Sequence, residues 1–224
     1  MTNKLIVFDW DGTLMDSQAR IVACMKAAIK DIELPELSVV EISNVIGLGL
    51  REAVISLFPD ATEAEFSSLV ERYRYHFLVG DKTPSPLFSG AKELLEQLLE
   101  RDYFLAVATG KGRKGLDRVL EECGMSKLFH ATRCADESFS KPHPQMLLDI
   151  MEQLGVEPKS TLMVGDTEYD LQMAHNSQAR SVAVSYGVHA KPRLLDCQPL
   201  ACLDSISDLQ DWLLQEHWLL PLPN

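Results

Sequence analysis

Basic side chains are in short supply: 21 Lys and Arg stand against 33 Asp and Glu in 224 residues, a formal net charge of −12. A nucleic-acid binder needs a cationic face to meet the phosphate backbone, so the balance argues against such a partner. It still admits a small anion, because a few local cations and a metal can reverse the field inside one pocket. Cysteine is scarce too. The five (Cys24, Cys123, Cys134, Cys197, Cys202) are odd in number and form no Cys-x-x-Cys pair. That pattern points to reduced thiols in a cytoplasmic protein, not to a disulfide framework. No apolar run approaches the length of a membrane span, which argues against a membrane-embedded chain. One lysine, Lys4, precedes a strand and then acids, which does not read as a signal peptide. The six histidines (His76, His130, His143, His175, His189, His217) show no metal-ligand spacing. There is no internal repeat and no low-complexity segment.

What is present is ordinary for a globular protein, with 46% hydrophobic and 24% charged residues. The length suits one sizeable core, or a core with a small satellite domain. The most informative stretch is the first. Leu5-Ile6-Val7-Phe8 reads as a buried strand, and it ends abruptly in Asp9-Trp10-Asp11-Gly12-Thr13. Ligands of open α/β sheets bind at the carboxyl ends of strands, so two acids stand where chemistry is expected.

Residues 17–80 show helical spacing and no strand-like alternation. Ile21, Met25, Ala28 and Ile32 share one face before Leu34-Pro35. A second segment carries Leu50, Ala53, Val54, Leu57 and Phe58, ending at Pro59. A third opens with Thr62-Glu63-Ala64-Glu65, a capping-box pattern, and continues through Phe66, Leu69, Val70, Tyr73 and Phe77. Helices of about four turns are expected here. Gly80–Pro86 reads as a linker. Beyond it, strands at 104–108, near 129–133, at 160–164 and at 181–184 alternate with helices, the last bearing Ile206, Leu209, Trp212 and Leu213. Strand–helix alternation implies a parallel sheet covered on both faces. The expected fold is therefore α/β, a doubly wound parallel sheet interrupted after its first strand by an all-helical insertion. Trp212 and Trp218 are candidates for a partner surface, although a terminal helix docked on the sheet accounts for Trp212 more simply.

Four polar clusters fall at or just beyond predicted strand ends: Asp9/Asp11, Thr109-Gly110-Lys111, Ser140-Lys141-Pro142 and Gly165-Asp166-Thr167-Glu168-Tyr169-Asp170. Parallel strands bring such ends to one edge. The residue types suit phosphoryl transfer, which needs an in-line nucleophile, cations and donors for the equatorial oxygens. Asp9 can attack and form an aspartyl-phosphate. Asp11 can protonate the leaving alcohol and later deprotonate a water. Clustered carboxylates need a cation between them, and oxygen-only ligands with phosphate point to Mg²⁺. Asp166 is the natural third ligand, with Asp170 one helical turn later supporting it. Thr109 and the Gly110 N–H, at a helix start, can hold phosphate oxygens, and Lys141 can offset charge. Each element also has a plainer reading: a strand-to-helix turn at Thr109-Gly110, a solvated loop lysine at Lys141, helix capping at Asp166-Thr167, an exposed helical acid at Asp170. Four such coincidences in this order favour the joint functional reading.

With these motifs in place, the chain resembles the haloacid dehalogenase superfamily of hydrolases over its whole length. Asp9-Trp10-Asp11-Gly12-Thr13-Leu14 looks like the first family motif, Thr109 the second, Lys141 in Lys141-Pro142-His143-Pro144 the third, and Gly165–Asp170 the fourth. The helical insertion is similar to the cap of the phosphoglycolate phosphatase-like branch. The resemblance implies a Rossmann-like core at 1–15 and 85–224, a helical cap at 16–84, Mg²⁺ dependence and an aspartyl-phosphate intermediate. It also implies that Asp11 binds metal through its main-chain carbonyl, which frees its side chain for acid–base work. The founding dehalogenases lack an acid equivalent to Asp11, so dehalogenation is not expected. Asn44–Arg51 looks like the cap loop that faces the active site, where Gly47 and Arg51 are candidates for substrate specificity, Arg51 as a contact for a substrate carboxylate or second phosphate; turn-shaping is the plainer reading of the glycines. A surface arginine at a helix start is the alternative for Arg51. The expected activity is a Mg²⁺-dependent phosphatase for a small phosphorylated metabolite, phosphoglycolate-like. A phosphomutase of the β-phosphoglucomutase type and a non-catalytic binding protein retaining the fold are the alternatives.

Overall fold

The chain was analysed as a computed structural model that describes residues 4–215. Leu5–Phe8 forms strand β1, and all four side chains are buried. Two faces must therefore be covered, and they are. Ile6 and Phe8 pack with Leu94, Leu95, Leu116 and Leu209. Leu5 and Val7 pack on the opposite face with Met146, Leu147, Ile150 and Met173. This is the burial pattern of a parallel sheet between two helical layers.

The other strands are β2 (Phe104–Thr109), β3 (Ala131–Cys134), β4 (Thr161–Gly165), β5 (Arg180–Val184) and β6 (Cys202–Leu203). All pair in parallel, in the order β3-β2-β1-β4-β5-β6. The chain builds outward from β1 to β3, then returns to β1's other side at β4. That reversal opens a crevice beyond the carboxyl ends of β1 and β4, the usual ligand position in doubly wound sheets. The expected α/β fold is therefore present.

Between β1 and β2 lie α1 (Gln18–Asp31), α2 (Val39–Asn44), α3 (Leu50–Leu57) and α4 (Glu63–Tyr75), the last running into a single π-helical turn, His76–Gly80. They surround their own apolar cluster, which includes Met25, Ile29, Ile42, Val54 and Leu69. Thr62 and Glu65 form the capping box read from the sequence, and Ser38 with Glu41 forms a second one that starts α2. The expectation of about four turns per helix holds for α1 and α4 and fails for α2 and α3, which have six and eight residues. Pro59 and the turn at Val45–Gly49 cut them short.

After the helical block come α5 to α10. They comprise α5 (Ala91–Leu99, which precedes β2 in the chain), α6 (Arg113–Glu122), α7 (Gln145–Leu154), α8 (Glu168–Asn176), α9 (Lys191–Asp196) and α10 (Asp208–Gln215). Neither α9 nor β6 was expected. β3 starts at Ala131, two residues later than the apolar run begins. Trp212 packs on the main core cluster, as a docked terminal helix requires. Trp218 and His217 lie outside the described residues. No helix among the described residues is long and apolar enough to cross a membrane. All five cysteines are free.

Candidate active site

The ladder continues one step past β1, where the Asp9 amide donates to the Val164 carbonyl at 3.0 Å. This carries Asp9 to the sheet edge beside Asp166, the first residue after β4. Asp170, in the first turn of α8, turns back toward both. Carboxylate oxygens of Asp9, Asp166 and Asp170 lie within 4.8 Å of one another, and all three residues are buried. Lys141 reaches in from the loop between β3 and α7. Its Nζ is 2.7 Å from Asp9 Oδ1 and 2.6 Å from Asp170 Oδ1. Lys141 is only 1% exposed, so it is no solvated loop lysine.

Each acid is held by dedicated donors. Thr13 Oγ1 donates to Asp166 Oδ1 at 2.7 Å, and the Val188 amide to Oδ2 at 2.8 Å. The Thr167 amide and hydroxyl donate to Asp170 Oδ2 at 3.1 and 2.7 Å. Thr167 does cap α8, so the plainer reading holds for Thr167 while Asp166 and Asp170 face the cluster. Gly12 sits at φ +84°, and a methyl group there would stand 2.2 Å from Asp166 Oδ2. Only glycine permits both that backbone and that approach. Asp9 Oδ2 has no hydrogen-bond partner among the described residues.

Burial pushes the Asp9 carboxyl well above the usual range, Lys141 opposes this, and Asp170 and Asp166 add to it. Burial and then Asp170 push Asp166 up to about 7, against the Val188 amide and Thr13 hydroxyl. Buried at the site are four carboxylates, Asp9, Asp11, Asp166 and Asp170, and two ammonium groups, Lys111 and Lys141. Fully ionised, the set carries two negative charges in excess. Uncompensated buried charge is costly, and one divalent cation would offset both. The donor set is all oxygen, which suits a hard cation. The three-carboxylate cluster with its unpartnered Asp9 oxygen therefore fits a divalent metal ion.

The Asp11 side chain is turned away from that cluster. Ser17 Oγ donates to Asp11 Oδ1, and Lys111 Nζ lies 2.9 Å from the same oxygen. Thr109 is fully buried at the end of β2, and its Oγ1 accepts from the Lys111 amide at 3.1 Å. Gly110 is not at a helix start as expected. α6 begins at Arg113 with Gly112 as its N-cap. Glycine is required at 110 for another reason: a methyl group there would stand 2.3 Å from the Leu48 carbonyl oxygen and 2.7 Å from that of Gly47.

The helical block thus meets the sheet edge through its backbone. Gly47, at φ +102°, backs onto the Thr167 side chain. The Gly49 amide donates to Ser140 Oγ at 2.7 Å. The last carbonyl of α2, that of Asn44, accepts from Tyr169 Oη at 2.9 Å and lies 3.3 Å from His189 Nε2. Helix-end carbonyls lack intrahelical partners, and these side chains supply them. The Glu168 amide donates to His189 Nδ1, which leaves the ring proton on Nε2 to face Asn44. Arg193 completes the grip by donating to Asn44 Oδ1. Sequence reasoning missed Lys111, Tyr169, His189 and Arg193. Lys111 and Tyr169 left a signal, as members of the Thr109-Gly110-Lys111 and Gly165–Asp170 clusters.

Arg51 is not brought to the cluster. It is exposed, with its guanidinium over the Phe66 ring of α4, 5.0 Å from the centroid. In this structure the packing of α3 on α4 holds it over Phe66, apart from the acidic cluster.

A parallel doubly wound sheet with buried acids at the ends of β1 and β4 and a lysine between them defines a class of hydrolases. The chain belongs to the haloacid dehalogenase-like hydrolase family, whose sequence model matches residues 6–184. It is 34% identical over 209 residues to a Dickeya dadantii protein named probable phosphatase IndB, covering 92% of this chain and 91% of that one. It is 30% identical over 215 residues to the phosphoglycolate phosphatase of Mannheimia succiniciproducens, covering 92% and 96%. The crystal structure of a predicted phosphoglycolate phosphatase from Haemophilus somnus superposes with a TM-score of 0.84 at 28% identity, covering 95% and 98%.

Proposed function

We propose that the chain is a Mg²⁺-dependent phosphatase that hydrolyses a small phosphate monoester, phosphoglycolate-like, in two steps. The carrying observation is the buried, unpartnered Asp9 Oδ2 beside the oxygens of Asp166 and Asp170, with Lys141 fixed alongside. The names of the relatives support the choice of reaction.

In this reading Asp9 attacks phosphorus, the ester P–O bond breaks, and Asp11 gives its proton to the departing alkoxide. Asp11 then takes a proton from water as that water attacks the aspartyl-phosphate. The acyl-phosphate P–O bond breaks, and inorganic phosphate and free Asp9 result. Thr109, the Gly110 amide and Lys141 hold the non-transferring oxygens. Asp9, Asp166 and the Asp11 main-chain carbonyl would hold Mg²⁺, which would neutralise charge on the phosphoryl group. Asp170 supports the site by fixing Lys141. Residues 16–84 act as a cap that closes over residues 1–15 and 85–224 and excludes bulk water. Free thiols and the lack of a membrane-spanning helix among the described residues suit work on a cytoplasmic metabolite.

The test is phosphate release from phosphoglycolate and from p-nitrophenyl phosphate, with and without Mg²⁺, for the wild type and Asp9→Asn. The expected result is Mg²⁺-dependent release that falls at least about a thousandfold in the variant. Equal rates in the two proteins would overturn the nucleophile. Isomer interconversion without phosphate release would replace the phosphatase with a mutase.

A further inference from the structure

The crevice holds two buried ammonium groups with different surroundings. Lys141 is taken up by Asp9 and Asp170. Lys111 is paired only with Asp11, at 2.9 Å, and its Nζ lies 4.5 Å from the centroid of Phe77, in the π-helical turn of the helical block. Arg20 fixes that ring in turn. Its guanidinium is 5.0 Å from the same centroid and donates to the Phe77 carbonyl at 2.9 Å. Tyr73, one helical turn earlier, completes this wall. Burial and then the negative charge of Asp11 push its phenol up. Lys111 therefore stands where block and sheet edge meet, on the Asp11 side of the cluster.

That side is set by the chemistry. In-line attack by Asp9 sends the leaving oxygen away from Asp9 and toward Asp11. Lys111 Nζ holds Asp11 Oδ1 at 2.9 Å, so an Asp11 that turns to meet the leaving oxygen works beside this ammonium. A neutral leaving group gives it nothing to bind. An anion one or two carbons from the ester oxygen would come within reach of it, and a charge-assisted contact in a buried site is strong. Arg51, the other candidate cation, faces Phe66.

We infer that Lys111 is the specificity-determining residue: its ammonium binds the carboxylate that the proposed phosphoglycolate-like ester carries on its leaving alcohol. This rests on the phosphatase reading above. Asp11 and the substrate carboxylate share the ammonium, and Phe77 with Arg20 keeps it from swinging into solvent.

The experiment compares phosphoglycolate with ethyl phosphate, which has the same backbone length and no carboxylate. The readout is the ratio of their kcat/KM values, with kcat and KM resolved separately, in the wild type, Lys111→Met and Lys111→Arg. The wild type is expected to favour phosphoglycolate by about 10- to 100-fold, the range of a hydrogen bond to a charged group. Lys111→Met should bring the ratio near one, mainly through KM for phosphoglycolate, and Lys111→Arg should restore part of it. A wild-type ratio near one overturns the inference. So does a Lys111→Met variant that slows both esters equally, because Lys111 would then act only on Asp11. If Lys111→Met fails to fold, the wild-type ratio and Lys111→Arg still decide. If the wild type releases no phosphate from either ester or from p-nitrophenyl phosphate, the phosphatase reading itself fails and takes this inference with it.

Discussion

The sheet edge and the helical block face each other across one crevice and hold it by different means. On the sheet side the chemistry is presented by side chains, and two of the acids are each tied by one hydroxyl and one main-chain amide: Asp166 by Thr13 and Val188, Asp170 by the Thr167 hydroxyl and amide. On the block side the approach is made by main-chain atoms: the carbonyls of Asn44, Gly47 and Leu48 and the amide of Gly49. Side-chain chemistry on the sheet is fixed within tenths of an ångström by packing and cannot vary without losing it. A backbone surface keeps its position while its side chains change. Between the two lies a seam where side chains do meet, Lys111 of the sheet side against Phe77 of the block.

The largest effect should come from breaking the sheet side. Lys141→Met leaves Asp9 and Asp170 buried with no ammonium between them. Removing one partner of a buried ion pair costs about 3–5 kcal/mol. Urea unfolding in metal-free buffer should show a loss in that range, with part recovered in millimolar Mg²⁺. A loss under about 1 kcal/mol would mean that the acids are neutral in the folded protein, and the charge argument for a cation would collapse.

A smaller effect is expected at the seam. Gly110→Ala puts a methyl group on the Leu48 carbonyl. Overpacking of this kind costs about 1–3 kcal/mol. The block backbone is expected to give way before β2, which is paired on both edges. KM should therefore rise several-fold while the core melts almost as before. A wild-type KM would show that the close approach of Gly47 and Leu48 has no part in turnover. Tyr169→Phe is milder, because it removes one hydrogen bond to the Asn44 carbonyl, worth about 0.5–1.5 kcal/mol. The His189 and Arg193 contacts remain. A modest KM increase with unchanged kcat is expected, and a KM increase equal to that of Gly110→Ala would show that Asn44 is gripped by the tyrosine alone.

The same division explains what the sequence could reveal. Strands β1, β2, β4 and β5 are apolar runs that stop at polar motifs, and the parallel order follows from strand–helix alternation. Asp9 and Asp166 stand at two of those stops, Lys141 in the loop after β3 and Asp170 in the first turn of α8, and the fold does bring them together. β6 has two residues and α9 has six, with Pro192 inside, so neither carries a period to detect. The Ser38–Glu41 capping box was present in the sequence but opens a helix too short to stand out. Backbone contacts leave no residue-type signature at all. The approach of the Leu48 carbonyl, from another element, makes its own demand for glycine at 110, and nothing in the sequence announces it.

Arg51 tests the comparison from the block side, and its effect should be the smallest. Its guanidinium has the Phe66 ring and solvent for company, and an exposed cation–π contact is worth about 0.5–1 kcal/mol. No spacing rule links the start of α3 to Phe66 in α4, so only the fold could separate this residue from the site. Arg51→Ala should lower stability by that small amount and leave the ratio of kcat/KM for phosphoglycolate over ethyl phosphate within about twofold of wild type. Lys111→Met should abolish the same ratio, and a double variant should behave as Lys111→Met alone, because residues without shared partners act independently. If Arg51→Ala instead collapses the ratio, the block must reach the substrate in a geometry different from the one described. Selectivity would then lie in the cover rather than at the seam.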